Sequence, residues 1–466
     1  MTQLQTIQYK EFERKLVPHE RRFFRVPISN ISIVARLKGF ISKEDLRKGL
    51  KKVRHQHPLL GVRIYLDENY DTWFTSKNVP ENPLKVVQRK SEKDWYQELL
   101  NEYKIRFKVE RGPLARFILL QSSEISEIII TCHHIICDGT SMAILARDLL
   151  LYLGDPDREV QIMPDPPLAT PEIFPTDTTP GKMIMVVINK MNKMWQKKKV
   201  IFDDEDVDNI FRAYWNNFTF KVISVELTKI ETSDLSKRCR QHKVTLNSAL
   251  NTAFLAARYD IRGHFKGGRR NILIPVNTRK RYIKPVGENF GLYAAGFQFE
   301  LSYNPKKDFW ENAKIFNENV REKLKINKVF KMVALMGLID KSLSETQSFS
   351  FLGKLVPPNF SRYEKIHSFS IDKKNIANKM TRKKIEKVPG LAVTNLGLLD
   401  YPSKYGSLEL DRFIFVTSAS PLMELVISAV TVSGRLTFTI NYLEETTDTI
   451  TMEKIKNKAL EYLGIV

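Results

Sequence analysis

The chain of 466 residues is 42% hydrophobic and 27% charged, a balance typical of folded globular proteins. Its length suffices for two or three domains with sizeable cores. The composition excludes a disordered or collagen-like chain, and no apolar run reaches the roughly 18 residues that a membrane-spanning helix needs. We therefore predict a folded, soluble protein.

The net charge is strongly basic, +21, from 74 Lys and Arg against 53 Asp and Glu. Such an excess bears on solubility and on partners, not on the fold. Nucleic acid, an anionic membrane and an acidic protein are all compatible with it, and so is a lysine-rich composition without any partner. Because the sequence carries no helix-turn-helix, zinc-finger or RNA-binding signature, we expect no nucleic-acid partner.

The start of the chain and its cysteines predict a compartment. The opening MTQLQTIQYKEFERKL carries charges throughout and lacks the apolar region and cleavage site of a secretory signal. The cysteines are odd in number and have no C-x-x-C spacing, which predicts reduced thiols and neither a disulfide framework nor a structural zinc site. They are Cys132, Cys137 and Cys239. We therefore expect a cytoplasmic protein.

Residues 1–162 are predicted to form a first, mixed α/β domain. Helices are expected after Ser42 and Ser91, because each serine can cap the amphipathic stretch that follows it. Apolar residues at helical spacing from Thr140 onward predict a third helix. Strands are predicted from apolar and alternating runs, at residues 30–39, 59–66, 72–76, 112–123 and 126–136.

Residues 163–200 are predicted to separate this domain from a second one. The stretch 163–181 contains six prolines, which predicts an extended linker. Residues 182–199 predict a helix that is apolar on much of its surface and ends in three lysines. Residues 201–466 again alternate strands and helices without repeating the first sequence, which predicts a second α/β domain.

A pair of histidines and an Asp-Gly pair stand at the end of the last strand predicted in the first domain. They are His133, His134, Asp138 and Gly139. Side chains alternate along a strand, so the two imidazoles should point to opposite faces. That geometry argues against an ion held by the pair, and we expect no metal site. On spacing alone two interpretations stay open: a catalytic base, or a satisfied core histidine before an ordinary turn into a helix.

The full pattern H-H-x-x-x-D-G resembles the signature of the condensation-domain superfamily. This superfamily includes chloramphenicol acetyltransferase, the condensation domains of peptide synthetases, polyketide-associated acyltransferases, alcohol acetyltransferases and wax ester synthases. Other segments look like the family's in the expected order, namely HPLL at 57–60, RGPLARF at 111–117, VTLNSALNTAF at 244–254, IPVNTRKR at 274–281 and AVTNLG at 392–397. Together they cover most of the chain.

The resemblance implies an α/β fold of two chloramphenicol acetyltransferase-like sandwich domains that form a V, with an active-site tunnel between them. The D-F-G-W-G segment of the plant acyltransferase branch is not found near the C-terminal end, and NFGLY stands elsewhere, at 289–293. That branch is therefore disfavoured. No carrier or adenylation domain is recognised in the sequence, so we expect a free-standing enzyme.

The resemblance also implies roles for single residues. His134 would be the general base, a task that suits an imidazole because its ordinary pKa lies near neutrality. Asp138 would be structural and would pair with a buried arginine, for which Arg279 is the best match. Gly139 would allow a tight turn, and its N–H would help to stabilise an oxyanion. His133 would be structural.

The implied reaction moves an acyl group from a thioester to a hydroxyl or amine of a small-molecule or lipid acceptor. The donor would be coenzyme A or the phosphopantetheine of an acyl or peptidyl carrier protein, as a co-substrate, with no cofactor bound permanently. We expect a monomer. The alternative is a non-catalytic condensation-like module that binds a carrier protein or another partner, and the intact His134 and Asp138 disfavour it.

Four stretches bear on partners. The basic residues 262–270 and 373–387 are either docking surfaces for an acidic carrier protein or solvated loops. The apolar and basic stretch 182–199 is typical of an interfacial helix, and the apolar stretch 328–339 is either a second contact of that kind or a core helix. Peripheral membrane contact therefore stays open beside the cytoplasmic location.

Overall fold

The computed structural model describes residues 11–325 and 328–465 of the chain. In these ranges it contains two six-stranded mixed sheets and a small sheet of three strands. The strands are β1 (Glu13–Lys15), β2 (Asn30–Lys38), β3 (Arg63–Leu66), β4 (Thr72–Thr75), β5 (Leu84–Gln88), β6 (Ala115–Gln121), β7 (Ile125–His133), β8 (Phe220–Glu226), β9 (Asn271–Asn277), β10 (Ala294–Glu300), β11 (Leu391–Leu399), β12 (Lys404–Tyr405), β13 (Leu408–Thr417), β14 (Leu425–Val432) and β15 (Arg435–Leu443).

The helices cover the faces of the two large sheets. They are α1 (Pro18–Arg21), α2 (Lys43–Gln56), α3 (Asp94–Tyr103), α4 (Gly139–Gly154), α5 (Lys182–Gln196), α6 (Asp204–Asn217), α7 (Lys229–Gln241), α8 (Leu246–Arg262), α9 (Phe309–Lys325), α10 (Lys328–Met336), α11 (Lys341–Ser344), α12 (Gln347–Leu352), α13 (Tyr363–Ile371), α14 (Ile376–Ile385) and α15 (Thr449–Tyr462). This arrangement confirms the predicted α/β fold with two lobes.

The first lobe is built on a sheet of strand order β12-β13-β2-β7-β6-β5. All neighbours are antiparallel except β5 and β6. The central strands β2 and β7 are buried on both faces, which explains their nearly continuous apolar sequences. Asn30 lies opposite His133 in their register, so the chain that follows β7 leaves the middle of the sheet.

Helix starts in this lobe follow the predicted capping only in part. Ser42 accepts a hydrogen bond from the backbone N–H of Asp45 and caps α2, as predicted. The next helix, α3, begins at Asp94 after Lys93, so Ser91 is not its cap. Instead the Ser91 hydroxyl donates to the Asp94 carboxylate at 2.6 Å, which ties the preceding loop to the helix.

The second lobe is built on a sheet of order β10-β9-β11-β14-β15-β8. Here β11 runs parallel to both of its neighbours, and the other pairs are antiparallel. The long helix α8, capped by Thr245, packs with α15 over this sheet and closes the second core. Parallel strands need a long connection, and the chain from β10 through α9 to α14 supplies it between the parallel neighbours β9 and β11.

Two strands from the second half of the chain join the sheet of the first lobe. Strand β13 pairs with β2 from Ile31 opposite Thr417 to Lys38 opposite Glu409, and β12 pairs with β13. We predicted residues 201–466 as one separate domain. In the structure, residues 404–417 of this range instead belong to the sheet of the first lobe. The sequence alternates well enough to predict a strand there, but alternation does not say which sheet a strand joins.

Helix α5, the apolar and basic helix, lies mostly on the surface. It buries Ile188 and Trp195. Its first turns expose Met183, Val186 and Val187, with 82%, 66% and 60% of each residue accessible to solvent. Among the helices of the described ranges, none combines the length and the apolar character needed to cross a membrane.

Two other predicted stretches take definite positions. Residues 328–339 are mainly a core helix, α10, because Val329, Phe330 and Val333 are buried in a cluster with Phe174. The basic residues 373–387, for which a solvated loop was one prediction, contain helix α14.

Candidate active site

His134 occupies the first position beyond β7, in a turn. The predicted strand over residues 126–136 is therefore too long at its end. The backbone N–H of His134 donates to the carbonyl of Ser29 at 2.7 Å, which fixes the turn against the chain entering β2. His134 is half-buried, whereas His133 is buried. The two imidazoles thus lie in different surroundings, as the strand argument predicted.

A backbone carbonyl sets the tautomer of His134. The imidazole Nδ1 lies 2.7 Å from the carbonyl oxygen of Cys137. Because a carbonyl can only accept, Nδ1 carries the proton and Nε2 carries the lone pair. Burial, and next the Arg22 guanidinium, lower the pKa of His134 to about 4. At neutral pH the side chain is therefore an uncharged imidazole with an available Nε2.

His133 has the contacts of a structural residue. Its Nδ1 accepts the backbone N–H of Ile135 at 3.2 Å. Its ring meets the ring of Phe107 edge-on, with 5.8 Å between the centroids. Burial lowers the pKa of His133 to about 3, so this imidazole is also neutral. These contacts support the turn that carries His134.

Asp138 and Arg279 form a buried ion pair behind that turn. The Nη1 of Arg279 donates to both carboxylate oxygens of Asp138, at 2.9 and 2.8 Å. The side chain of Arg279 is 4% exposed and that of Asp138 is 2% exposed. Burial alone would raise the pKa of Asp138, but Arg279 and the N–H groups of Ser141 and Tyr293 outweigh it and hold the pKa below its ordinary value. The predicted contact between the two residues is therefore present.

Hydrogen bonds of Asp138 and of its neighbour Ser141 also connect the two lobes. Asp138 caps α4 by accepting the N–H of Ser141 at 2.8 Å, and it accepts the N–H of Tyr293 at 2.8 Å. The Ser141 hydroxyl donates to the carbonyl of Gly291 at 2.6 Å and accepts a hydrogen bond from Arg279 Nη2 at 2.7 Å. Sequence reasoning used the segment NFGLY only to disfavour one branch of the family. The structure places it directly against the motif loop.

Gly139 is required for a reason that differs from the prediction. It is the first residue of α4 and is not among the glycines with positive φ, so no special turn conformation demands a glycine. A Cβ atom at this position would instead lie 2.7 Å from Leu396 Cδ2 and 2.9 Å from Phe415 Cζ. Both neighbours belong to the second half of the chain, and Leu396 lies in the predicted segment AVTNLG. Close packing against Leu396 of the second lobe's sheet and Phe415 of the first lobe's sheet thus favours the glycine.

A cavity of about 520 Å³ lies between α1 and the helices α10, α11 and α14. The ring of Phe23 lines it and stacks on the imidazole of His134, with 4.3 Å between centroids and 21° between planes. A second cavity of about 240 Å³ adjoins the first, and Arg22 and Lys384 line both. The sequence reasoning missed these three residues. Arg22 and Phe23 stand in a dense run of basic and aromatic residues, PHERRFFR at 18–25, just before β2, and Lys384 stands in the basic stretch 373–387.

The fold and site together define a class: a two-lobed α/β protein with a neutral imidazole stacked on a ring that lines a cavity, and a buried carboxylate-guanidinium pair that fixes the imidazole's loop. Residues 18–162 match the Condensation domain family. Residues 216–352 match the family described as phthiocerol/phthiodiolone dimycocerosyl transferase C-terminus. The chain belongs to the condensation-domain and chloramphenicol acetyltransferase-like superfamily, as the motif predicted.

Among curated proteins, one similar relative is equisetin synthetase of Fusarium heterosporum. It is 28% identical over 123 residues, which make up 26% of this chain and 3% of the synthetase. The chain spans only 3–4% of the length of the curated relatives it matches.

Two solved structures resemble the chain over nearly its whole length. Trichothecene 15-O-acetyltransferase from Fusarium sporotrichioides aligns with a TM-score of 0.64 at 14% identity and covers 97% of this chain and 95% of that one. The epimerization domain from the third module of tyrocidine synthetase B aligns with a TM-score of 0.61 at 14% identity, covering 98% and 96%. At such identities the likeness shows the fold alone.

Proposed function

We propose that the protein is an acyltransferase in which His134 is the general base. The acyl group comes from a thioester of coenzyme A or of carrier-protein phosphopantetheine and goes to a hydroxyl or amine. The observation that carries the proposal is the fixed tautomer of His134, whose Nδ1–H is held by the Cys137 carbonyl. This leaves the Nε2 lone pair to accept a proton, on a ring that stacks against the cavity-lining Phe23.

The proposed reaction balances in two steps. Nε2 takes the proton of the acceptor while the acceptor oxygen or nitrogen bonds to the thioester carbon, which gives a tetrahedral oxyanion. When the oxyanion collapses, the carbon-sulfur bond breaks and the imidazolium returns its proton to the leaving thiolate. The Gly139 N–H, at the first position of α4, has no acceptor within the described chain and is our candidate donor to the oxyanion.

The buried pair has a positioning role in this proposal. Asp138 and Arg279 do not touch the imidazole; they fix the start of α4 and the turn before it. Preorganisation of that kind matters because a displacement of about 1 Å between reacting groups can cost about 100-fold in rate.

The test is product analysis by mass spectrometry with acyl-coenzyme A and acyl-carrier donors and an extract of the source cell as the acceptor pool. The variant His134→Gln should transfer acyl groups about 100- to 10,000-fold more slowly, the usual contribution of a general base. His242→Ala is the matched control, since His242 stacks on Trp310 of α9, in the second lobe. Transfer by His134→Gln at the wild-type rate would refute the mechanism.

The alternative, a non-catalytic module that binds a carrier protein, predicts a different result in the same experiment. Carrier protein would then bind in a pull-down while no donor yields product with any acceptor. In that case wild type and His134→Gln would be indistinguishable in both measurements.

A further inference from the structure

The two joined cavities carry an excess of positive charge. Six cationic side chains line them, against the two carboxylates of Asp71 and Glu345; the cations are Lys15, Arg21, Arg22, Arg25, Lys341 and Lys384. Because charged groups lose hydration when they are enclosed, an excess of one sign in a cavity is unfavourable unless a counter-charge arrives.

Four of these cations have carboxylate partners. Lys15 and Lys341 both pair with Asp71. Arg21 donates to Glu345 at 2.6 Å, and Arg25 lies 3.5 Å from the same carboxylate. Each of these four cations thus has a carboxylate partner, although each carboxylate is shared by two cations.

Arg22 and Lys384 are the exceptions. Within the described residues neither has a carboxylate partner, and Lys384 donates only to the neutral amide of Gln347. Both residues are solvent-exposed and line the cavities. Partial loss of hydration, and next the charge of Arg22, lower the pKa of Lys384 to about 8. Burial also lowers the pKa of Arg22 to about 10. The positive charge of Arg22 thus disfavours the charged form of Lys384.

The position of this pair relative to His134 limits what it can bind. The Arg22 guanidinium carbon is 4.5 Å from the centroid of the Phe23 ring, and that ring is 4.3 Å from the imidazole centroid. The guanidinium therefore lies at most about 9 Å from the imidazole, the sum of these two distances. A phosphopantetheine phosphate stands 13 bonds from its sulfur, about 15 Å when extended at the length per bond of a stretched chain. An extended arm would therefore carry its phosphate past Arg22 when the thioester is held at His134, and only a folded arm would bring the phosphate to Arg22.

We propose that Arg22 and Lys384 bind a carboxylate or phosphate group of the small-molecule substrate while its reacting atom lies at His134. The assignment of the anion to a substrate rests on the proposed acyl transfer, whereas the binding of an anion by Arg22 and Lys384 does not depend on it. A guanidinium and an ammonium suit either group, because both offer charged donors to paired oxygens. The anionic group belongs either to the acceptor or to the acyl chain of the donor.

Binding has a further consequence for the base. A bound anion compensates the charge that Arg22 exerts on the imidazole, so the proton affinity of Nε2 rises when the substrate is in place. A substrate without the anionic group would meet a weaker base. The site therefore couples substrate selection to the strength of the base.

The direct test needs no turnover. Wild-type protein is treated with acetic anhydride at pH 8, with and without inorganic phosphate, and acetylation of each lysine is followed by peptide mass spectrometry. Phosphate at about ten times its Kd should slow acetylation of Lys384 about tenfold by occupancy. Sodium chloride at equal ionic strength should not. Lys341, in the same cavity but paired with Asp71, is the internal control.

The variant Arg22→Gln should lose this protection. If phosphate protects both lysines equally, or neither, or still protects Lys384 in the variant, the proposed site is wrong. Protection of Lys384 without any acyl transfer would support the anion site and count against the acyltransferase proposal, so the two can fail separately.

The source of the anionic group is read from paired substrates. The first arm tests the acceptor: a hydroxy acid is compared with its amide, and the acyl donor is a neutral thioester in both cases. The second arm tests the donor: the monothioester of a dicarboxylic acid is compared with a neutral acyl thioester. In one arm Arg22→Gln should raise KM for the acidic member about 10- to 100-fold, the value of a charged hydrogen bond, and leave the neutral member unchanged. Lys341→Gln is the control variant. Equal effects on acidic and neutral members in both arms would overturn the inference.

Discussion

Arg279→Ala should destabilise the protein by about 3 kcal/mol, near the lower end of the 3–5 kcal/mol that follows loss of one partner from a buried ion pair. The variant loses both hydrogen bonds to Asp138 and one to Ser141. The carboxylate stays buried, but it keeps the backbone N–H groups of Ser141 and Tyr293 as donors. These two remaining bonds are why we expect the lower part of the range.

Urea unfolding followed by tryptophan fluorescence measures this loss. Lys38→Ala, which removes a solvent-exposed pair with Glu409, is the control and should change the free energy of unfolding little. A loss below about 1 kcal/mol for Arg279→Ala would refute the argument, since it would mean that the Asp138 carboxylate is not left uncompensated.

The pH dependence of this loss has a definite sign. In the wild type the pKa of Asp138 is lowered on folding, so its contribution is present above the unfolded value of about 3.9 and disappears as pH falls through the folded value. Without Arg279, burial raises the pKa instead, and protonation relieves the buried charge. The difference between wild type and Arg279→Ala should therefore shrink as pH falls. A constant difference across this range would contradict the assignment.

Three further predictions concern the loop, the base and the surface. Gly139→Ala should destabilise the protein by about 1–3 kcal/mol in urea unfolding, because the added methyl group would overlap the side chains of Leu396 and Phe415. Unchanged stability would show that these two side chains move aside without cost. The kcat/KM of acyl transfer, which reports the free enzyme, should hold constant on acidification and fall only near pH 4, where His134 becomes protonated, and Arg22→Gln should move that fall to higher pH; a fall near pH 7 in the wild type would contradict this. Replacing the exposed Val186 and Val187 of α5 with Asp should reduce sedimentation with phosphatidylglycerol vesicles, with phosphatidylcholine vesicles as control, and equal sedimentation of both proteins would exclude α5 as a membrane contact.

The contact between Asp138 and Arg279 was predictable from the sequence because both residues lie in short segments with fixed partners in the family pattern. The different surroundings of the two histidines were predictable for a physical reason, since successive side chains of a strand point to opposite faces, and the assignment of the base to His134 came from the family resemblance. The roles of these residues in catalysis stay a prediction.

Other parts of the site depend on contacts that no local pattern records. Gly139 looked like a turn glycine, yet its neighbours are Leu396 and Phe415, more than 250 residues away in the sequence. Lys384 stands in a lysine-rich stretch that reads equally well as a solvated loop. Its place in the lining of the two cavities distinguishes it from the other lysines of that stretch.

The strand exchange between the lobes also constrains how the chain can fold. Strand β2 has backbone hydrogen-bond partners on its second side only when β13 pairs with it, and the paired residues are separated by more than 370 positions in the sequence. During synthesis the first sheet must therefore present an unpaired apolar edge until almost the whole chain has left the ribosome, a state prone to pair with other chains. We expect chains truncated before residue 404 to aggregate even though they contain the entire histidine motif.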